Sequence, residues 1–146
     1  MMIVVVLMVQ CNNDDDLYLN SAILQGTWVE VEPLDMRLEG DNYTFTFKQD
    51  SFYLKIRSWK DIVDPNDTCG GCHDYIYARG FYLLESDTIR FNGTWCTDSN
   101  YCKNAATMYL NSYKAKFNYE MRSRNEFILN PQYEEEYFSI RLVKEK

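Results

Sequence analysis

The residues best equipped for chemistry form the run Cys69-Gly70-Gly71-Cys72-His73, followed further along by Cys96 and Cys102. C-x-x-C-H is the spelling by which c-type haem is attached, with two thioethers from the cysteines and the histidine as proximal iron ligand. The same four thiols could instead hold zinc, cycle as a redox pair, or close structural disulfides. His73 is the only histidine in the chain, so a second haem ligand would have to be a methionine such as Met108 or Met121. Haem would also leave Cys96 and Cys102 without a role. A redox-active pair needs a helix N-terminus or a neighbouring cation to depress a thiol pKa, and no βαβ pattern surrounds these cysteines. Structural disulfides use all four thiols at once, and the pattern favours them.

Other reactive constellations are missing. There is no Gly-x-Ser-x-Gly and no phosphate loop, and a single histidine limits triad chemistry. Asp14–Asp16 and Glu134–Glu136 read as a solvated linker and a loop, with no metal-ligand spacing. Asn42, Asn66 and Asn92 open glycosylation sequons, which matter only in a eukaryotic source. The expectation is a protein that is not an enzyme, with no catalytic residue, no metal and no cofactor. The formal net charge of −7 opposes nucleic-acid binding and passive adhesion to anionic lipid, and otherwise serves solubility.

The elements that must position these cysteines show a period of two. Tyr43, Phe45 and Phe47 alternate with threonines and Lys48; Phe52, Leu54 and Ile56 alternate with Tyr53, Lys55 and Arg57. Ile89, Phe91, Gly93 and Trp95 form a third such row, and Phe117, Tyr119 and Met121 a fourth. Each is a strand with one buried face. Weaker strands span Gly26–Glu32, Tyr75–Leu84, Glu126–Leu129 and Glu136–Val143. About eight strands suffice for a closed barrel. Connections near Gln49–Asp50, Glu85–Asp87 and Ser123–Asn125 are tight, whereas Pro33–Gly40, Lys60–His73, Thr97–Asn111 and Asn130–Glu135 are long. Up-and-down order puts every tight connection at one end and every long one at the other, giving a closed base and an open mouth. The fold class is therefore all-β, an eight-stranded antiparallel up-and-down barrel. Pairing the central hairpin around Ser86 brings residue 72 near residue 100. The favoured bridges are Cys72–Cys96 with Cys69–Cys102, and a local Cys69–Cys72 bridge is the main rival. Each would contribute about 2–4 kcal/mol.

Residues Met1–Val9 are almost wholly apolar and too few to span a bilayer, as in a secretion signal. Val9-Gln10-Cys11 resembles the lipobox of bacterial lipoproteins, which implies that Cys11 carries the lipid. Cys11-Asn-Asn-Asp-Asp-Asp16 resembles the acidic tether of Bacteroidetes-type surface lipoproteins. Residues 1–11 are then a signal segment, 12–23 a polar linker and 24–146 the barrel domain. Gly26-Thr27-Trp28 resembles the Gly-x-Trp of lipocalins, which implies that Trp28 plugs the barrel base with Arg141 lying against it. Gly80–Leu84 followed by Asp87–Phe91 looks like the central hairpin of small lipocalin-like lipoproteins.

The resulting expectation is an exported, outer-membrane-anchored lipoprotein of the cell envelope, a monomer touching the membrane through its lipid alone. The inward set is Phe45, Phe47, Phe52, Leu54, Ile56, Tyr82, Ile89, Phe91, Trp95, Phe117, Tyr119 and Phe138. Ala78, Gly80, Gly93 and Ala115 on the same faces could leave a cavity for a small apolar or aromatic ligand. The alternative is a barrel filled by these aromatics, which meets another envelope protein through Tyr53 and Trp59.

Overall fold

β-Branched and aromatic residues at alternate positions are matched by strands wherever that pattern is strong. The computed structural model describes residues 18–31, 42–59, 73–96, 98–101, 112–132 and 138–146. A short helix α1 (Ser21–Leu24) is followed by β1 (Gly26–Glu30), β2 (Asn42–Lys48), β3 (Ser51–Trp59), β4 (His73–Leu84), β5 (Thr88–Cys96), β6 (Ser112–Ser123), β7 (Glu126–Pro131) and β8 (Ile140–Lys144). The strands form one closed antiparallel barrel in sequence order, and β8 returns to pair with β1. This is the expected eight-stranded up-and-down architecture of lipocalin-like type.

The long–short alternation of connections also holds. Two residues separate β2 from β3, three separate β4 from β5, and two separate β6 from β7. These tight turns share the base with the start of β1 and the end of β8. The remaining connections run from residue 31 to 41, 60 to 72, 97 to 111 and 132 to 139 at the opposite end.

Inside, the barrel is filled by the inward row of each strand. Trp28, Phe45, Phe47, Phe52, Phe117 and Phe127 are each under 2% exposed, with Leu24, Leu54, Ile89, Leu129 and Leu142 between them. Burying an aromatic or aliphatic side chain this fully is worth about 1.5–3 kcal/mol, so these rows drive closure. β4 and β5 approach closely at the Gly80–Gly93 pair. A Cβ on Gly80 would lie 2.2 Å from the Asn92 carbonyl oxygen, and one on Gly93 would lie 2.1 Å from that of Arg79 and 2.9 Å from Phe52 Cζ. These glycines therefore let two backbones and a phenyl ring meet.

Three expected boundaries move. β8 starts at Ile140, so Phe138 precedes the strand and is 56% exposed instead of pointing inward. The Phe138–Ile140–Leu142 alternation is genuine in sequence, but the β7–β8 ladder runs only as far as the Leu129–Ile140 pair, and residue 138 lies before it. At the other terminus, part of the expected linker is structural. Leu19 belongs to the core, and Asn20 caps α1 by accepting from the Ile23 N–H at 2.9 Å. Finally, β1 ends at Glu30.

Candidate functional site

The candidate site is the barrel interior, and its two ends are built differently. At the base, α1 lies under the strands and delivers Leu24, fully buried, into the opening. The Leu24 carbonyl accepts the indole N–H of Trp28 at 2.7 Å, so the buried ring is hydrogen-bonded as well as packed. Phe127 meets Trp28 edge-on with centroids 4.7 Å apart.

The cation beside Trp28 is not Arg141. Arg141 Nε donates to Glu126 Oε1 on β7 at 2.7 Å, on the opposite side of the sheet from Ile140 and Leu142. Alternation along β8 dictates this, because Ile140 and Leu142 take the inward positions. The place near Trp28 belongs to Lys144, whose Nζ lies 5.3 Å from the ring centroid and donates to the Ile23 carbonyl at 2.8 Å. Lys144 also pairs directly with Trp28 in the β1–β8 ladder.

A side-chain clasp finishes the base. Gln49, in the β2–β3 turn, has φ 55°, a left-handed conformation that a non-glycine residue adopts at a cost. The Gln25 amide accepts from the Gln49 N–H at 2.6 Å and donates to the Gln49 carbonyl at 2.9 Å. The Tyr82 hydroxyl donates to the same carbonyl. Burial raises the Tyr82 hydroxyl pKa above its ordinary value. On the far side, the Tyr119 hydroxyl donates to the Ser86 carbonyl at 2.8 Å. Tyr82 and Tyr119, expected in a ligand pocket, are thus fasteners of the base.

Above this floor, Phe91 stands among Phe45, Phe47, Phe52, Tyr113 and Phe117, with centroid separations between 5.0 and 6.2 Å. Leu54 and Ile89 fill the gaps at 0% exposure. The small residues expected to leave space do not empty this region. Ala78 is fully buried, Ala115 is nearly so, and the Gly80–Gly93 pair is occupied by Phe52.

Cover thins toward the mouth. Trp95 is half-buried, with its ring 4.9 Å from that of Tyr113, and Tyr43 stacks on Phe45 at 6.4 Å. Ile56 remains 7% exposed, but its cross-strand partner Ile76 is 43% exposed. Sequence reasoning omitted Ile76, Tyr113 and Glu30 from this region. Tyr113 was legible as the next member of the Ala115–Phe117 row. Glu30 is an inward residue of β1 with 4% exposure, and its Oε2 accepts the Tyr43 N–H at 3.0 Å. Alternation from Trp28 points to it, against the usual exclusion of charge from an apolar interior.

Cys96 is the one cysteine among the described residues. It lies on the outward row of β5 yet is buried, with Tyr101 of the turn at residues 98–101 close beside it. In that turn the Tyr101 N–H donates to the Asp98 carbonyl at 3.0 Å. Tyr101 rests against Tyr53 and Tyr77 on the outer wall, with centroids 5.2 and 5.5 Å away. Burial, together with Tyr77, Cys96 and Tyr53, pushes the Tyr101 pKa up to about 12. Tyr53 is therefore partly covered by its own chain. Cys96 forms no disulfide and is a buried thiol, so the favoured Cys72–Cys96 bridge is not seen. Cys11, Cys69, Cys72 and Cys102, and with them the lipid site, the Cys69–Cys102 bridge and the haem-type cysteines, lie outside the described residues. His73 opens β4 opposite Trp59.

Among the described residues, no group of three His, Cys, Asp or Glu side chains could hold a metal ion, and no helix is long and apolar enough to cross a membrane. Compared with protein families, curated proteins and solved structures, the chain gives no match.

Proposed function

We propose that this protein is a non-enzymatic, exported binding barrel that takes a small apolar or aromatic ligand in the mouthward part of its interior. The observation that carries the reading is the gradient of burial along the inward rows. Rings at and above the base are sealed, while Tyr43, Ile76 and Trp95 near the mouth are not. The ligand region is accordingly smaller than the full inward set, and is lined by Tyr43, Ile56, Ile76, Trp95 and Tyr113. Apolar walls with a tyrosine hydroxyl and a carboxylate nearby suit a ligand that is mostly hydrocarbon with one polar end. The lipobox-like Val9-Gln10-Cys11 supports attachment to the outer membrane through lipid on Cys11, and four further cysteines in or beside the mouth connections suit a compartment oxidising enough to bridge them.

Native mass spectrometry of protein purified from its own host tests this reading. The expected result is a bound small molecule that Trp95→Ala removes and Leu83→Ser retains. A clean apo mass, with no change in tryptophan emission on titration with fatty acids or aromatic metabolites, would overturn it. Cys11→Ala should abolish fatty-acid labelling and release the protein from the membrane fraction.

A further inference from the structure

The outer wall of the barrel carries a second concavity. A groove of about 540 Å³ lies over the Gly80–Gly93 pair, lined by Ser51, Tyr53, Arg79, Phe81, Asn92 and Thr94. These six occupy the outward rows of β3, β4 and β5. The floor is glycine backbone, and as shown above no side chain can be added there.

The lining has specific chemistry. Arg79 is exposed and pairs with no carboxylate among the described residues. The nearest acidic neighbour in sequence to the lining, Asp50, accepts from Ser51 Oγ at 3.2 Å. Lys48 Nζ lies 5.6 Å from the Tyr53 ring centroid, and Lys114 pairs across from Asn92. Three cations, Arg79, Lys48 and Lys114, thus lie on or beside the groove, with the carboxylates of Asp50 and Asp98 at its margins. Phe81 is 64% exposed, a large apolar area for a monomer surface to leave uncovered.

The strand register supplies the spacing. Tyr53 is directly opposite Arg79, and Phe81 lies two residues further along β4. Tyr53 and Phe81 are therefore diagonal neighbours, about 7–8 Å apart. At that backbone spacing both aromatic side chains border the same stretch of groove, where either can pack against a flat ring. Tyr101 holds the Tyr53 ring from the side of Tyr77. Arg79, opposite Tyr53 and two residues before Phe81, neighbours both aromatic positions, and its planar guanidinium can grip a carboxylate through two parallel hydrogen bonds.

We propose that this groove is a second binding site, independent of the barrel interior, for a small monoanion carrying a ring, with its carboxylate on Arg79 and its ring packed against Tyr53 and Phe81. Aromatic carboxylates and acidic monosaccharides share this chemistry. Isotope-labelled full-length protein, titrated in the millimolar range with indole-3-acetate and with D-glucuronate, distinguishes them. Indole-3-acetamide and methyl glucoside serve as the neutral counterparts. Either anion should shift the amide signals of Arg79, Phe81, Asn92 and Thr94, and whichever binds more tightly names the source. Arg79→Gln should weaken that binding at least about tenfold. Phe81→Ser should weaken it too, whereas Leu83→Ser, similarly exposed but outside the groove, should not. The three side chains are exposed, and a native-like amide spectrum certifies each variant. The proposal is overturned if neither anion shifts these signals, if the neutral counterparts bind equally well, or if Arg79→Gln binds as wild type does.

Discussion

The base and the mouth of this barrel use the same strands to opposite ends. At the base, a helical turn, an indole and a lysine close the opening, and the buried polar atoms described above have partners. Leu24 O takes the Trp28 N–H, Ile23 O takes Lys144, and Gln49 is held by Gln25 and Tyr82. At the mouth, the inward row runs out into partly exposed Trp95 and exposed Ile76. The contrast teaches that stability and binding are separated along the barrel axis, so substitutions should divide by height.

The sharpest test exchanges the two tryptophans. Trp28→Ala removes a fully buried ring, its hydrogen bond and its contact with Phe127, and should cost about 3–5 kcal/mol in urea unfolding. Trp95→Ala removes a half-buried ring and should cost about 1–2 kcal/mol while eliminating ligand binding. Equal losses would break the comparison.

The clasp should be the next most sensitive. Gln25→Ala removes its two hydrogen bonds to Gln49, leaving only that from Tyr82, and should lower stability by about 1–2 kcal/mol. Gln49→Gly, which relieves the positive φ, should raise it by about 0.5–1 kcal/mol in the same assay. Smaller still is the choice between cations. Lys144→Met should alter the Trp28 emission and cost about 1 kcal/mol, whereas Arg141→Gln, on a half-exposed pair, should leave the emission unchanged and cost under about 1 kcal/mol.

The smallest effect lies on the outer wall. Tyr101 titrates at about 12 in the folded protein against 10.0 for an ordinary tyrosine. Because the folded pKa is raised, its contribution to stability is complete below pH 10 and is lost as the pH climbs toward 12, where the unfolded chain releases the proton first. Ultraviolet titration of Tyr101→Phe against wild type should show one late-ionising phenol missing. The same turn bears on which disulfides could form in the oxidised protein. The β4–β5 register pairs Cys96 with Tyr77, four residues from His73, which is about 13 Å along an extended strand. A disulfide needs its Cα atoms within about 7 Å. Non-reducing peptide mapping should therefore find Cys96 joined to Cys102 or Cys69 in preference to Cys72.

The barrel was legible because period two is a local signal. Tyr43–Phe47, Phe52–Ile56 and Ile89–Trp95 declare their faces without reference to anything distant, and turn lengths declare the two ends. What escaped depends on partners remote in sequence. Phe138 continues an inward alternation but precedes the strand whose pairing would enforce it. Leu19 and the residues around α1 have a linker's composition, and only their position under the strands makes them a floor. Arg141 was suggested by resemblance, whereas the alternation of its own strand already pointed it outward. Lys144, at a strand end, carries no sequence mark of its place beside an indole. Cys96 lies on an outward row and is buried, which alternation cannot foresee.

The β1–β8 seam has a consequence for how this molecule must assemble. Seven of the eight strand junctions join neighbours in the chain, and each can form as a hairpin or across one loop. The eighth brings Trp28 to Lys144 and Glu30 to Leu142, residues near opposite ends of the barrel sequence. Its loop-closure entropy is the largest in the fold, so ring closure belongs late in folding. Until then the sheet is open, with two raw edges available to other chains. A chain that stops short of Ile140 cannot form the seam at all, and we expect it to aggregate through the exposed edges of β1 and β7 instead of settling into a smaller barrel.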